Sequence, residues 1–106
     1  MKIAVASTGK DKNSNISKVA GRAPHYLIFD ESGEILETIS NPFSTGGGGA
    51  GYGVAKMLAD KDVNTIVAGE FGPNMIEAMN ERNLTYLTGT EKISDFILGI
   101  SKKSTK

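Results

Sequence analysis

The 106 residues carry twelve basic and twelve acidic side chains, a single histidine and no cysteine. The length suits one compact domain, and the balanced charge offers no field for gathering nucleic acid or an anionic membrane. Without cysteine, disulfides, thiolate nucleophiles, zinc ribbons and all-cysteine iron–sulfur sites are excluded.

The opening "MKIAVAS" has an apolar run too short for a signal-peptide core or a membrane span, which predicts a cytoplasmic protein. "KIAVAS" reads as a buried first strand, and "TGKDKNSNISK" as a turn-rich, mobile loop. "PHYLIFD" and "EILETIS" alternate as strands and are joined by the turn "ESG", so a hairpin is expected. "AGYGVAKMLADK" then changes to helical spacing, with Ala50, Val54, Met57 and Leu58 on one face. "VNTIVAG" is a short strand, and "PNMIEAMNERN" a helix with Pro73 in its first turn. "LTYLTG" is a strand, and "TEKISDFILGISKK" a helix with Thr90 as its expected N-cap. The order βββαβαβα implies an α/β domain over residues 1–101 with a mixed sheet, parallel in its second half. Residues 102–106 are expected to be a basic, solvated tail.

Six of the thirteen glycines crowd into residues 46–53. Gly46, Gly48 and Gly51 satisfy the dinucleotide pattern G-x-G-x-x-G, with Glu70 at a suitable distance downstream. So dense a run matches that pattern easily, and "NPFST" intervenes where a strand should lead straight into the turn. No Gly-Lys-Ser/Thr follows, which removes a Walker loop. Two further readings stay open: a flexible crossover from hairpin to helix, and a backbone cradle for another anionic or polar ligand.

"AGEFGPN" leaves Glu70 and Phe71 near the carboxyl edge of the sheet, where ligands of α/β proteins bind. Glu70 could orient a ligand or bind a metal, or equally sit as an exposed turn carboxylate. "TGTE" brings a third strand-to-helix corner to that edge, and converging helix starts favour an anion. In "AGRAPHY", Arg22 beside Gly21 is suited to clamping an anionic group or to packing its stem on a turn. His25, the lone histidine, is more in keeping with a structural role than with metal ligation. No G-x-S-x-G accompanies it, the first strand carries no carboxylate, and no basic patch alternates with aromatics. A hydrolase triad, a two-metal nuclease and nucleic-acid readout are therefore not expected.

"MKIAVAST", "GRAPHYLIFD", "GGGGAG", "VNTIVAGEFGPN" and "ISDFI" occur in an order and spacing that resemble the dinitrogenase iron–molybdenum cofactor biosynthesis family. Its members include NifX-like proteins and the C-terminal domains of some NifB proteins. The resemblance implies a ribonuclease-H-like fold with a five-stranded mixed sheet. It also implies a non-catalytic role: binding or carrying iron–sulfur or iron–molybdenum cofactor precursors, in company with cofactor-assembly proteins. Many members read "HFGRA" before the second strand, with histidine a candidate ligand. Here Val19 and Ala20 occupy those places, and Val19 cannot ligate a metal.

The expected site is an anion-accepting rim of Gly21, Arg22, Gly46, Gly47, Gly48, Gly49, Gly51, Glu70 and Phe71, with no metal-ligating side chain. The alternatives are a nucleotide- or small-anion-binding regulatory module and an interaction protein without a small ligand.

Overall fold

The elements follow the order read from the sequence: β1 (Lys2–Ser7), β2 (His25–Asp30), β3 (Ile35–Ser40), α1 (Ala50–Asp60), β4 (Thr65–Ala68), α2 (Pro73–Glu81), β5 (Thr85–Thr88) and α3 (Ile93–Ser104). A 3-10 turn at Ala20–Arg22 was not expected. The structure, a computed structural model, describes residues 2–44 and 50–104. The Gly46–Gly49 run, with Thr45, lies outside the described residues.

The strands form one mixed sheet ordered β3-β2-β1-β4-β5. β2 is antiparallel to both β1 and β3, while β4 runs parallel to β1 and to β5. This is the ribonuclease-H-like arrangement, with a hairpin half and a half built by strand–helix alternation. The hairpin turns on Asp30, whose carboxylate accepts from the Ser32 and Glu34 amides at 2.9 and 3.1 Å. The hydrogen bond from the Ser32 hydroxyl, followed by those amide bonds, holds the Asp30 carboxyl below its ordinary pKa. Gly33 takes φ 92°, a conformation glycine adopts without steric penalty.

Alternation along the strands sorts the core into two faces. Ala4, Ala6, Tyr26, Ile28, Ile66 and Ala68 pack against Val54 and Leu58 of α1 and Met75 and Met79 of α2. Ile3, Val5, Leu27, Phe29 and Val67 face the other way, onto Ile93 and Ile97 of α3. Two helices therefore cover one face and a single helix the other.

α1 and α2 end by one device. The Val63 amide bonds to Leu58 O at 3.1 Å and the Asp62 amide to Ala59 O at 3.0 Å. After α2 the same pattern joins Leu84 to Met79 and Asn83 to Asn80. Asp62 and Asn83 hold φ 65° and 58°, the left-handed C′ position of a Schellman cap, which short polar side chains tolerate better than most. Each cap turns the chain directly into the next strand.

The start of α3 departs from expectation. The helix begins at Ile93, three residues beyond Thr90, and its early amides are capped from outside. Ile93 N–H bonds to Ser14 O at 3.0 Å, and Ser94 N–H to Lys12 O at 2.9 Å. The turn-rich segment expected to be mobile is thus pinned by its own carbonyls to a helix start, and by an Asn15–Lys92 bridge beside them.

Candidate functional site

The first amides of α3 are occupied by loop carbonyls, so it offers an anion little. The start of α2 differs. α2 has Gly72 at its N-cap, with no side chain bonding back, and Pro73 in its first turn. Ile76 N–H returns to Gly72 O at 3.0 Å, leaving the Asn74 and Met75 amides without a capping side chain. α1 starts directly beside it: a Cβ on Gly51 would lie 2.9 Å from both Met75 Cβ and Met75 N. Glycine is needed there for the two helix starts to meet.

A strap formed by residues 17–20 runs along the carboxyl end of β4. Gly69 N–H bonds to Ser17 O at 2.9 Å, Glu70 N–H to Lys18 O at 2.6 Å, and Ala20 N–H to Glu70 O at 3.1 Å. Gly69 permits this approach, since a Cβ there would lie 2.7 Å from Lys18 O. The strap continues into the 3-10 turn that carries Gly21 and Arg22. Buried side chains hold that turn: Asn41 Nδ2 donates to Ala23 O at 2.9 Å and to Gly21 O at 3.2 Å. The Tyr26 hydroxyl donates to Ala20 O from within the core, and burial raises its pKa well above the usual tyrosine value.

The strap divides the expected rim between two clefts. One, of about 240 Å³ on the α1/α2 side, is lined by Val19, Gly21, Arg22, Ala50, Gly51, Gly72, Pro73, Asn74 and Met75. None of these carries a carboxylate. The other, of about 480 Å³, is lined by Ile16, Lys18, Gly69, Glu70, Gly89 and Thr90. Gly21, Arg22 and Gly51 are thus brought together, whereas Glu70 borders the second cleft. Phe71 stacks at a tilt on Tyr86, with ring centroids 5.1 Å apart. Gly46, Gly47, Gly48 and Gly49 lie outside the described residues.

Sequence reasoning missed Asn41, the strap and the two uncapped amides. A lone asparagine before proline was the only local signal for Asn41. A strap of "SKVA" has no periodicity to betray its pairing.

His25 stands opposite Ser7 and Ser40 in the sheet register, and its buried Nδ1 has no hydrogen-bond partner among the described residues. It lines neither cleft. Among the described residues, no group of three His, Asp or Glu side chains could hold a metal ion. The context of a dinucleotide fingerprint is also missing: β3 is an antiparallel edge strand, and it ends at Ser40.

A family profile described as dinitrogenase iron-molybdenum cofactor matches residues 1–102. The chain belongs to this family. Its fold is shared with the apo form of the orange protein from Desulfovibrio gigas, at TM-score 0.86 and 21% identity over 96% of this chain and 88% of that one. A candidate NifB protein from Thermotoga matches at TM-score 0.78 and 25% identity, over 96% and 87% of the two chains. A candidate dinitrogenase from Methanocaldococcus jannaschii matches at TM-score 0.55 and 20% identity, over 94% and 90%. No curated protein matches the sequence significantly. Among the described residues of this family member, no helix is long and apolar enough to cross a membrane.

Proposed function

We propose that this member of the dinitrogenase iron-molybdenum cofactor family is a non-catalytic cytoplasmic carrier. Its cargo is an anionic iron–sulfur or iron–molybdenum cofactor precursor, exchanged with a cofactor-assembly protein. The observation that carries this reading is the α1/α2 cleft. It joins Arg22 to a helix start with no capping side chain and has no carboxylate in its lining. A guanidinium and backbone amides favour an anion there.

The same residues set the mode of binding. Val19 lines the cleft at the position where the family resemblance implies histidine, and the chain has no cysteine to supply a thiolate. The chemistry of this lining suits an anion whose metals bring their own ligands, held by charge and hydrogen bonds. Gly21 and Gly51 keep the walls close to the backbone. Glu70 lines the other cleft and Phe71 lines neither, stacking instead on Tyr86, so neither is assigned to the cargo.

Anaerobic incubation with an isolated iron–molybdenum cluster precursor, followed by gel filtration and metal analysis, tests the reading. Retained iron and molybdenum are expected, with at least about a tenfold weaker hold in Arg22→Gln, the loss typical of one charged hydrogen bond. Protein that retains neither metal contradicts the proposal. Phosphate, ATP or NAD raising the melting temperature in place of the precursor would support a small-anion regulatory module.

A further inference from the structure

We propose that the cleft on the α3 side of the strap is a second binding site, for a small zwitterion of the α-amino-acid class. Lys18 and Glu70 line this cleft together. Their backbones are joined by the Glu70 N–H to Lys18 O bond, yet the ammonium and the carboxylate form no ion pair. Neither side chain has a hydrogen-bond or ionic partner among the described residues. Both residues are exposed and border one space, so a ligand there can engage either charge without first breaking an ion pair.

That arrangement selects by charge. An anion drawn to Lys18 meets the Glu70 carboxylate, and a cation drawn to Glu70 meets the Lys18 ammonium. A ligand carrying both charges satisfies both. The early amides of α3 cannot substitute for Lys18, because Ser14 O and Lys12 O already accept from Ile93 and Ser94. The rest of the lining is Ile16, two glycines and Thr90. It offers an apolar wall for a short side chain and a hydroxyl beside the ligand's polar end. Of the two glycines, Gly69 is sterically fixed, since a Cβ there would lie 2.7 Å from Lys18 O. At roughly twice the volume of the α1/α2 cleft, 480 against 240 Å³, the space admits such a molecule. The site is independent of the cargo reading, since the anion-accepting cleft shares none of these lining residues.

Amide-shift titration of the intact protein with glycine, L-alanine and L-serine tests it, with ethylamine and propionate as single-charge controls. The amino acids are expected to shift Gly69, Glu70, Gly89 and Thr90 saturably. Each control should bind about tenfold more weakly, as should each amino acid to Lys18→Gln or Glu70→Gln. The controls are read on unaltered protein, so that result stands whatever the variants do to folding. No saturable shift from any of the three amino acids overturns the proposal. So do controls that bind as well as the amino acids, or shifts confined to Gly51, Asn74 and Met75.

Discussion

Gly51 and Tyr26 show how closely single residues hold this site. Gly51 has no Cβ because Met75 leaves no space for one, and both clashing atoms belong to or sit beside the α2 backbone. Gly51→Ala should force the two helix starts apart and cost about 1–3 kcal/mol by denaturant titration. Tyr26 makes a different prediction. Its folded pKa is raised above the ordinary 10.0 by burial, so above about pH 10 the unfolded chain releases a proton that the native protein retains. Its contribution is complete below that pH. Stability then falls by up to about 1.4 kcal/mol per pH unit as the pH climbs. Urea titrations between neutral and strongly alkaline pH should show this slope in the native sequence and a shallower one in Tyr26→Phe. Tyr52, raised by its hydrogen bond to Glu77, acts in the same direction and persists in the variant.

Among the elements, the helix ends show what local sequence can and cannot reveal. The strands and helices were legible because alternation and helical spacing are local, and "VNTIVAG" or "PNMIEAMNERN" needs no distant partner to be recognised. The Schellman caps at Asp62 and Asn83 were legible in principle, as polar residues tolerant of left-handed backbone placed just past an apolar face. Replacing Asn83 separates these contributions. Asn83→Gly should leave stability unchanged or slightly higher, whereas Asn83→Ala should lower it by about 1 kcal/mol in the same titration, since alanine resists φ 58°. The beginning of α3 was not legible. Thr90 has the chemistry of an N-cap, but the loop carbonyls of Lys12 and Ser14 take that role from eighty residues away, roughly. For the same reason the strap was invisible: Val19 and Glu70 pair across a separation that leaves no period in either segment. Gly21, Arg22 and Gly51 were singled out by residue chemistry alone, and they line one cleft. Their separation from Glu70 became clear only once the strap was placed between them.

In the whole molecule, the mixed sheet sets two unequal faces against each other, and the strap at its carboxyl end keeps two clefts apart. The face covered by α1 and α2 brings an uncapped helix start to Arg22. The face covered by α3 has its helix start capped internally and presents charges of both signs. The central claim is that anionic cargo binds in the first cleft, through Arg22 and the backbone amides at the start of α2. Amide spectra recorded before and after anaerobic loading with the isolated iron–molybdenum cluster precursor test it most directly, since a paramagnetic cluster broadens the signals nearest to it. The account predicts broadening centred on Gly21, Gly51, Asn74 and Met75, with Gly89 and Thr90 spared. Broadening centred on Gly89 and Thr90, or none at either cleft, would contradict it.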